Sequence, residues 1–275
     1  MRLLIGLWIL LPTLLALPLK DDPDELIVGG TKARKGQFPY FVLLSLVRKF
    51  EDYVHECGGT LLNDRFVLTA AHCVNNTRED GTSEAFFNVI NVNEENDPNV
   101  VKVPISAVRM TDRNPNNSPY YDDIAVLKLS KPVKLSSSIQ PIKIKRDDSK
   151  LITTSRFGTA VGFGTTCGGV NCPGSEELLY ANVPIVNHAR CRQIYGWDFD
   201  DRKICAGLRG RGTAPGDSGG PFTTYDFDLR QNVLIGVVSA GGTDFEKGET
   251  PDIYTRAAYY CDFIEKSTEG TFKCS

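Results

Sequence analysis

The 275-residue chain lacks an excess of basic residues, because 31 lysines and arginines stand against 34 aspartates and glutamates and the net charge is −3. No dense basic cluster occurs along it. Nucleic-acid-binding proteins usually carry a strongly basic surface, so we expect no nucleic acid partner. Internal repeats and low-complexity blocks are also absent, while 41% of the residues are hydrophobic. The sequence therefore predicts a sizeable buried core, in one large domain or two small ones.

Long apolar runs are absent apart from one at the N-terminus. Residues 1–16 hold one early arginine and a leucine-rich run broken by Pro12, and small and turn-forming residues follow near Ala16 to Pro18. This layout is typical of a secretory signal peptide, with a membrane anchor as the alternative because the run approaches the length of a short span. We expect cleavage near residue 16, secretion of the rest to the extracellular space, and no membrane association afterwards.

Histidine is scarce, with three residues, and this limits the metal sites that the chain can build. Cys167 and Cys172 could form a zinc-ligand pair, but no second cysteine or histidine pair stands at matching spacing. Calcium in the acidic loop near Glu94, Glu95 and Asp97 is left open, since such loops are usually just solvated. We predict no metal and no cofactor.

The cysteine count is even, which in a secreted chain predicts disulfides. The eight residues are Cys57, Cys73, Cys167, Cys172, Cys191, Cys205, Cys261 and Cys274. Two sequons beginning at Asn75 and Asn116 are predicted glycosylation sites and fit the same extracellular route, although Pro119 weakens the second.

Short runs rich in β-branched and aromatic residues recur along the chain between turn-forming clusters. They predict strands at residues 41–46, 65–70, 100–105, 124–129, 234–240 and 252–257. Only the tail, about residues 257–268, has the spacing of an amphipathic helix. The pattern predicts an all-β barrel or sandwich with a C-terminal helix, and residues 129–144 could link two halves of similar size.

The stretch GDSGGP, residues 216–221, places Ser218 between glycines. A serine hydroxyl is a weak nucleophile until a neighbouring base takes its proton, and flanking glycines let backbone N–H groups point at a developing oxyanion. The stretch also fits the nucleophile elbow of α/β-hydrolases, whose histidine follows the serine. All three histidines (His55, His72 and His188) precede Ser218, which excludes that fold.

Two further motifs carry the other groups that a serine nucleophile needs. In LTAAHC, His72 ends an apolar run and is followed by Cys73, so a bridge to Cys57 would hold the strand end that carries it. Packed core histidines are also common in such positions. In YYDDIAVLKL, Asp123 either begins a solvated strand or turns inward to accept the Nδ1 proton of His72, leaving Nε2 to accept from Ser218.

IVGG, TAAHC, DDIAVLKL and GDSGGP, in this order, resemble the chymotrypsin-like (trypsin-type) serine peptidases over residues 27–275. The resemblance implies two six-stranded antiparallel β-barrels, with a boundary near residues 131–145. It implies Ser218 as nucleophile, His72 as general base and then acid, and Asp123 as the residue that orients the imidazole. The N–H groups of Gly216 and Ser218 would form the oxyanion hole. Ser239 would support Asp123, and residues 239–241 would pair with the substrate.

The resemblance also gives the N-terminal IVGG a role. Residues 17–26 would be an activation propeptide, and cleavage before Ile27 would create an α-ammonium that pairs with buried Asp217 and sets the oxyanion hole. The chain would thus be a zymogen. The residue before the cut is usually basic in this family, but here it is Leu26, so we expect an activating protease that accepts leucine.

The family pattern implies the bridges Cys57–Cys73 and Cys191–Cys205. The four remaining cysteines are predicted to pair locally, as Cys167–Cys172 and Cys261–Cys274, although the resemblance does not fix their pairing. By register, the specificity pocket has Gly212 at its base and Gly241 and Asp252 in its walls. This combination predicts broad P1 acceptance, of large apolar residues and some basic ones.

These expectations describe a secreted serine endopeptidase that acts through an acyl-enzyme. Its partners would be protein or peptide substrates, protein protease inhibitors and the activating protease. The alternative is a catalytically silent homologue that acts as a binding or regulatory protein, which departures from the family at several positions leave open.

Overall fold

The computed structural model describes residues 30–49, 53–94, 96–111, 121–166, 173–207, 210–241 and 250–275. The strands are β1 Thr31–Lys32, β2 Phe41–Val47, β3 Val54–Asn63, β4 Phe66–Thr69, β5 Glu84–Phe87, β6 Val101–Met110, β7 Ala125–Leu129, β8 Lys143–Ile144, β9 Phe157–Gly162, β10 Leu179–Pro184, β11 Lys203–Ala206, β12 Pro221–Asp226, β13 Gln231–Ala240 and β14 Asp252–Arg256. The α-helices are α1 Ala71–Val74, α2 His188–Tyr195 and α3 Cys261–Ser267, and short 3-10 turns cover Val92–Glu94, Gly196–Asp198 and Ala257–Tyr260.

The first half is a closed barrel in which strands follow the order β2-β3-β4-β7-β6-β5, with β5 pairing back to β2. Every pair is antiparallel. The apolar strands β4 and β7 pair with each other in this ring. Their apolar side chains, among them Leu68 and Val126, are buried in the core. Burial of such side chains stabilises the fold by about 1.5–3 kcal/mol each.

The second half is a sheet in the order β1-β10-β9-β12-β13-β14-β11, with β8 pairing parallel to β13. Its six long strands form a ring that is completed between β10 and β11 by the bridge Ile185–Ala206. The N–H groups of Val186 and Gly207 donate to the carbonyls of Cys205 and Pro184 beside that bridge. The predicted all-β fold with two barrels is confirmed, and the second barrel differs from the first in closing through this short contact.

The two halves pack through a shared apolar cluster. Phe41 of β2 meets Phe163, just beyond β9, with ring centroids 5.8 Å apart. Tyr40 adds a 3.2 Å hydrogen bond across the boundary to Thr223 of β12. These contacts fix the position of one barrel relative to the other, and therefore the geometry of any site formed between them.

The C-terminal helix was predicted correctly in place, and its first turn is 3-10 rather than α-helical. Tyr260 and Ile264 are buried against the core of the first barrel, as expected for the apolar side of an amphipathic helix. The expectation that the tail holds the sole helix was wrong, because α2 also forms. Asn187 caps α2 by accepting hydrogen bonds from the N–H groups of Ala189 and Arg190. Since just one residue of α2 is buried, the sequence of this helix shows only a weak apolar pattern.

Three disulfides join described cysteines. Cys57–Cys73 ties β3 to α1, Cys191–Cys205 ties α2 to β11, and Cys261–Cys274 ties the start of α3 to the C-terminus. Several predicted features lie outside the described residues: the signal peptide, the propeptide, Ile27, Cys167, Cys172 and Asn116. Asn75 is half-buried just after α1.

Candidate active site

The turn that carries His72 is fixed at both ends. β4 runs into α1, and the disulfide of Cys73 anchors the helix to β3. The guanidinium of Arg48 donates to the carbonyl oxygens of His72 and Cys73, at 3.0 and 3.4 Å. A helix of one turn has unsatisfied carbonyls at its end, so this arginine caps it.

Asp123 is fully buried and faces the imidazole of His72. Its Oδ2 lies 2.7 Å from His72 Nδ1, and its Oδ1 accepts from the backbone N–H of His72 at 2.9 Å. Ser239 Oγ donates to the same Oδ2 at 2.7 Å, and Thr255 Oγ1 donates to the Asp123 carbonyl at 2.8 Å. A carboxylate on Nδ1 favours the tautomer with the proton there, which leaves Nε2 as an acceptor.

Ser218 lies where the second half touches the first. Its carbonyl oxygen accepts a 2.7 Å hydrogen bond from the N–H of Gly58 in β3. A Cβ on Gly219, which has φ +77°, would lie 2.2 Å from Oγ1 of Thr69 at the end of β4. A Cβ on Gly58 would lie 2.6 Å from Gly220 Cα. Glycine therefore lets the turn with Ser218 come against the strand end that leads into α1.

Gly216 and Asp217 form the preceding part of this turn. Gly216 is exposed with φ +103°, a conformation that favours glycine. The Asp217 carboxylate is 1% exposed and accepts 2.8 Å hydrogen bonds from the N–H groups of Gly164 and Ala214. A Cβ on Gly162 would lie 2.1 Å from its Oδ1. Burial, with a smaller contribution from the charge of Asp252, raises the pKa of Asp217 to about 7 against the opposing backbone hydrogen bonds.

The three predicted specificity residues lie on neighbouring segments of the second half. Gly212 and Gly241 are half-buried, and Asp252 is 5% exposed. The Asp252 carboxylate accepts from the N–H of Thr213, and a Cβ on Gly212 would lie 2.5 Å from its Oδ2. The carboxylate thus occupies the space that a side chain at position 212 would take.

The structure also bears on metal and membrane binding. In the described ranges, no three histidine, cysteine, aspartate or glutamate side chains gather where they could hold an ion. In the acidic loop, the Lys35 ammonium lies 2.8 Å from the Asp97 carboxylate. None of the described helices has the length and apolar character needed to cross a bilayer.

Several residues that support the site were missed from the sequence, namely Arg48, Gly58, Gly164 and Thr255. Arg48, Gly164 and Thr255 each form a hydrogen bond that involves a backbone group and joins residues more than 20 positions apart. Gly58 acts through its close approach to Gly220. The glycine pair Gly58-Gly59 inside a strand is a signal that could have indicated a close backbone approach.

The trypsin family profile matches residues 27–264 of this chain. The chain belongs to the trypsin family of serine peptidases. Trypsin-1 of Astacus astacus is 32% identical over 249 residues, covering 87% of this chain and 98% of the relative. Chymotrypsin-C of Rattus norvegicus is 32% identical over 248 residues, covering 88% and 89%. The venom peptide isomerase heavy chain of Agelenopsis aperta is 27% identical over 251 residues, covering 88% and 99%.

Proposed function

We propose that this trypsin-family chain is a serine endopeptidase that cleaves peptide bonds through an acyl-enzyme. The observation that carries the proposal is the 2.7 Å contact of His72 Nδ1 with buried Asp123, which makes Nε2 the ring nitrogen that can act as a base. Ser218 is the nucleophile, because its turn abuts the strand end that leads to that imidazole.

The reaction follows from these roles. His72 Nε2 takes the Ser218 hydroxyl proton as Oγ bonds to the scissile carbonyl carbon, and the N–H groups of Gly216 and Ser218 stabilise the oxyanion. The imidazolium, held by Asp123, then gives the proton to the leaving amine as the C–N bond breaks. Water, deprotonated by the same imidazole, attacks the ester and restores Ser218 with release of the acid.

Hydrolysis of a peptide substrate tests this proposal. The chain cut before Ile27 should turn substrate over, and the Ser218→Ala variant should lose at least about 10³-fold in kcat while keeping its circular dichroism spectrum. A folded, cut chain whose rate equals that of Ser218→Ala would instead indicate a catalytically silent binding or regulatory protein.

Substrate binding would use the C-terminal end of β13, beyond the last β12–β13 pair (Pro221 with Val237), and the pocket beside it. The backbone of residues 239–241 would pair with the substrate as an added strand. Gly212 and Gly241 would leave room for large apolar P1 side chains, and Asp252 would attract some basic ones. A P1 peptide library should therefore show large apolar residues with lysine or arginine in addition. A profile restricted to arginine and lysine, or to alanine and valine, would contradict this.

Activation would follow cleavage between Leu26 and Ile27. The new α-ammonium would enter the second half and pair with the Asp217 carboxylate, which in the described part of the chain is held by backbone N–H groups. An ammonium partner would compensate a buried charge that is otherwise costly. N-terminal sequencing of the active form should read Ile-Val-Gly-Gly, and any other start would overturn the assignment.

The route and partners of the protein complete the proposal. The signal peptide directs the chain to the extracellular space, where Asn75 and Asn116 carry glycans and protein inhibitors compete with protein substrates. An enzymatic deglycosylation that leaves the mass of the secreted protein unchanged would contradict the glycan assignment.

A further inference from the structure

The residue before Asp123 is also an aspartate, and its charge is held by a separate set of contacts. Asp122 Oδ1 accepts a 2.7 Å hydrogen bond from the Tyr260 hydroxyl. The Arg202 guanidinium donates to the same oxygen at 3.2 Å. The side chains of Asp122 and Arg202 are 23% and 12% exposed, and Tyr260 is 5% exposed. These contacts are therefore largely shielded from solvent.

Arg202 is itself fixed in place. Its guanidinium forms an ion pair with Asp200 and stacks over the ring of Tyr121, with Cζ 3.4 Å from the ring centroid. Its carbonyl oxygen accepts from the N–H of Arg256 at the end of β14. Arg202 belongs to the second half and Asp122 to the first, so the contact joins the Asp123 loop to the other half of the molecule.

We propose that Arg202, together with Asp122 and Tyr260, is a positioning network that fixes the Asp123 loop and offsets the Asp122 charge near His72. This inference rests on the proposed function, since it concerns the base of that reaction. Two adjacent carboxylates would both favour the imidazolium form of His72. Arg202, which Asp122 shares with Asp200, offsets part of the Asp122 charge, so that Asp123 is the carboxylate that orients the imidazole.

Other charged and titratable groups face this network. Asp200 pairs with Arg202, and the Lys203 ammonium interacts electrostatically with Asp122. At His72, the Arg48 guanidinium binds the backbone carbonyl. None of these groups is altered in the test below, so each acts equally in all the variants.

The test is an NMR titration of the His72 imidazole in the Ser218→Ala background, cut before Ile27. Three histidines are present, and His55→Gln and His188→Gln variants assign the signals. Arg202→Gln should raise the pKa of His72 and Asp122→Asn should lower it, each by roughly half a pH unit. In the double variant Arg202→Gln/Asp122→Asn, the pKa of His72 should be close to that of the parent. Arg202→Lys keeps the positive charge, so it should also leave the pKa of His72 close to that of the parent.

A pKa of His72 that is unmoved in both single variants, or moves in the same direction in both, would overturn the proposal. If Arg202→Gln does not fold, the near-isosteric Asp122→Asn variant alone must still lower the pKa. Because the readout is not turnover, the outcome is independent of whether the chain proves to be a peptidase. In an active chain, the acidic limb of kcat/KM should move in the same directions.

Discussion

The two halves of the molecule each bury a carboxylate next to the candidate site, and the two are satisfied in different ways. Asp123, in the loop before β7 of the first barrel, meets the imidazole of His72 and the hydroxyl of Ser239. Asp217, in the second half, meets backbone N–H groups from Gly164 and Ala214, and burial raises its pKa to about 7.

In the proposed zymogen, this difference would separate the part of the site that folding assembles from the part that cleavage before Ile27 would complete. The first half is a closed ring of paired strands that carries both His72 and Asp123. The second half closes through the bridge Ile185–Ala206 and adds two donors to Asp123, from Ser239 and Thr255. A buried carboxylate without a counter-charge is a destabilising feature, which a cationic partner would relieve. We infer that Asp123 is preorganised and that Asp217 awaits the Ile27 ammonium.

The largest expected effect comes from the first carboxylate. Asp123→Asn should leave the fold intact and lower kcat of the cut chain by the amount known for the same change in this family, on the order of 10⁴-fold. The cause is an amide that no longer holds Nδ1 in the protonated tautomer. Steady-state kinetics normalised to folded protein measure it, and a fall below tenfold would show that Asp123 does not orient the base.

The Asp217 carboxylate should affect the free energy of unfolding rather than the His72 imidazole. Below pH 3.8 it is protonated in both states; between 3.8 and about 7 the unfolded chain releases the proton while the folded chain retains it. The free energy of unfolding of the uncut chain should therefore fall as pH rises through this window, by on the order of 4 kcal/mol, and level off above it.

Denaturant titrations from pH 4 to 8 can isolate this contribution. The difference between the parent and Asp217→Asn removes the effect of carboxylates elsewhere, such as Asp97 and Glu269, whose ion pairs lower their pKa values to about 2. Cleavage before Ile27 should flatten the slope, because an ammonium lowers the pKa of its partner. An identical slope in the cut and uncut chains would rule out the pairing.

One disulfide in each half allows the two halves to be compared directly. Replacing both cysteines of Cys57–Cys73, or both of Cys191–Cys205, by alanine should cost about 3 kcal/mol in each case, since the loops have similar lengths. Only the first change should also lower turnover per titrated active site, because Cys73 anchors the turn of His72. Equal losses of turnover in both variants would mean that the first half is not the preorganised one.

A smaller effect is expected from Ser239→Ala, which removes one of the donors to the Asp123 carboxylate. We expect a loss of about tenfold in kcat, because one charge-assisted hydrogen bond is lost while the imidazole contact remains. Ser106→Ala is the matched control, since Ser106 is an exposed residue of β6 that donates to the Lys128 carbonyl. If the two variants behave alike, Ser239 does not support the site.

Much of the fold follows from local pattern. Strands such as β4 and β7 are continuous apolar runs, and α3 carries its buried residues at helical spacing. The strand β3 was not among those predicted, because it contains Gly58 and Gly59, and Gly58 is needed for the approach of Gly220 from the other half. The ring closure at Ile185–Ala206 is likewise a non-local pairing without a local signal.

The site divides in the same way. His72, Asp123, Ser218 and Ser239 stood in or beside recognisable motifs. Arg48 and Arg202 stood in no recognisable motif, because their partners lie in other segments of the chain. From sequence alone, an arginine that binds a backbone carbonyl or a carboxylate cannot be distinguished from one that is simply exposed. The residue types that the chemistry needs can be recognised from local motifs, whereas the contacts that hold these residues depend on how the two halves pack.

The most direct test is the mass of the folded chain after incubation with a serine-directed phosphonate. We expect one adduct per chain cut before Ile27, located on the peptide that contains Ser218. The adduct should form slowly before the cut and should not form in His72→Gln. A cut, folded chain that forms no adduct, or forms it on another serine, would contradict the claim that the two halves combine into a working nucleophile.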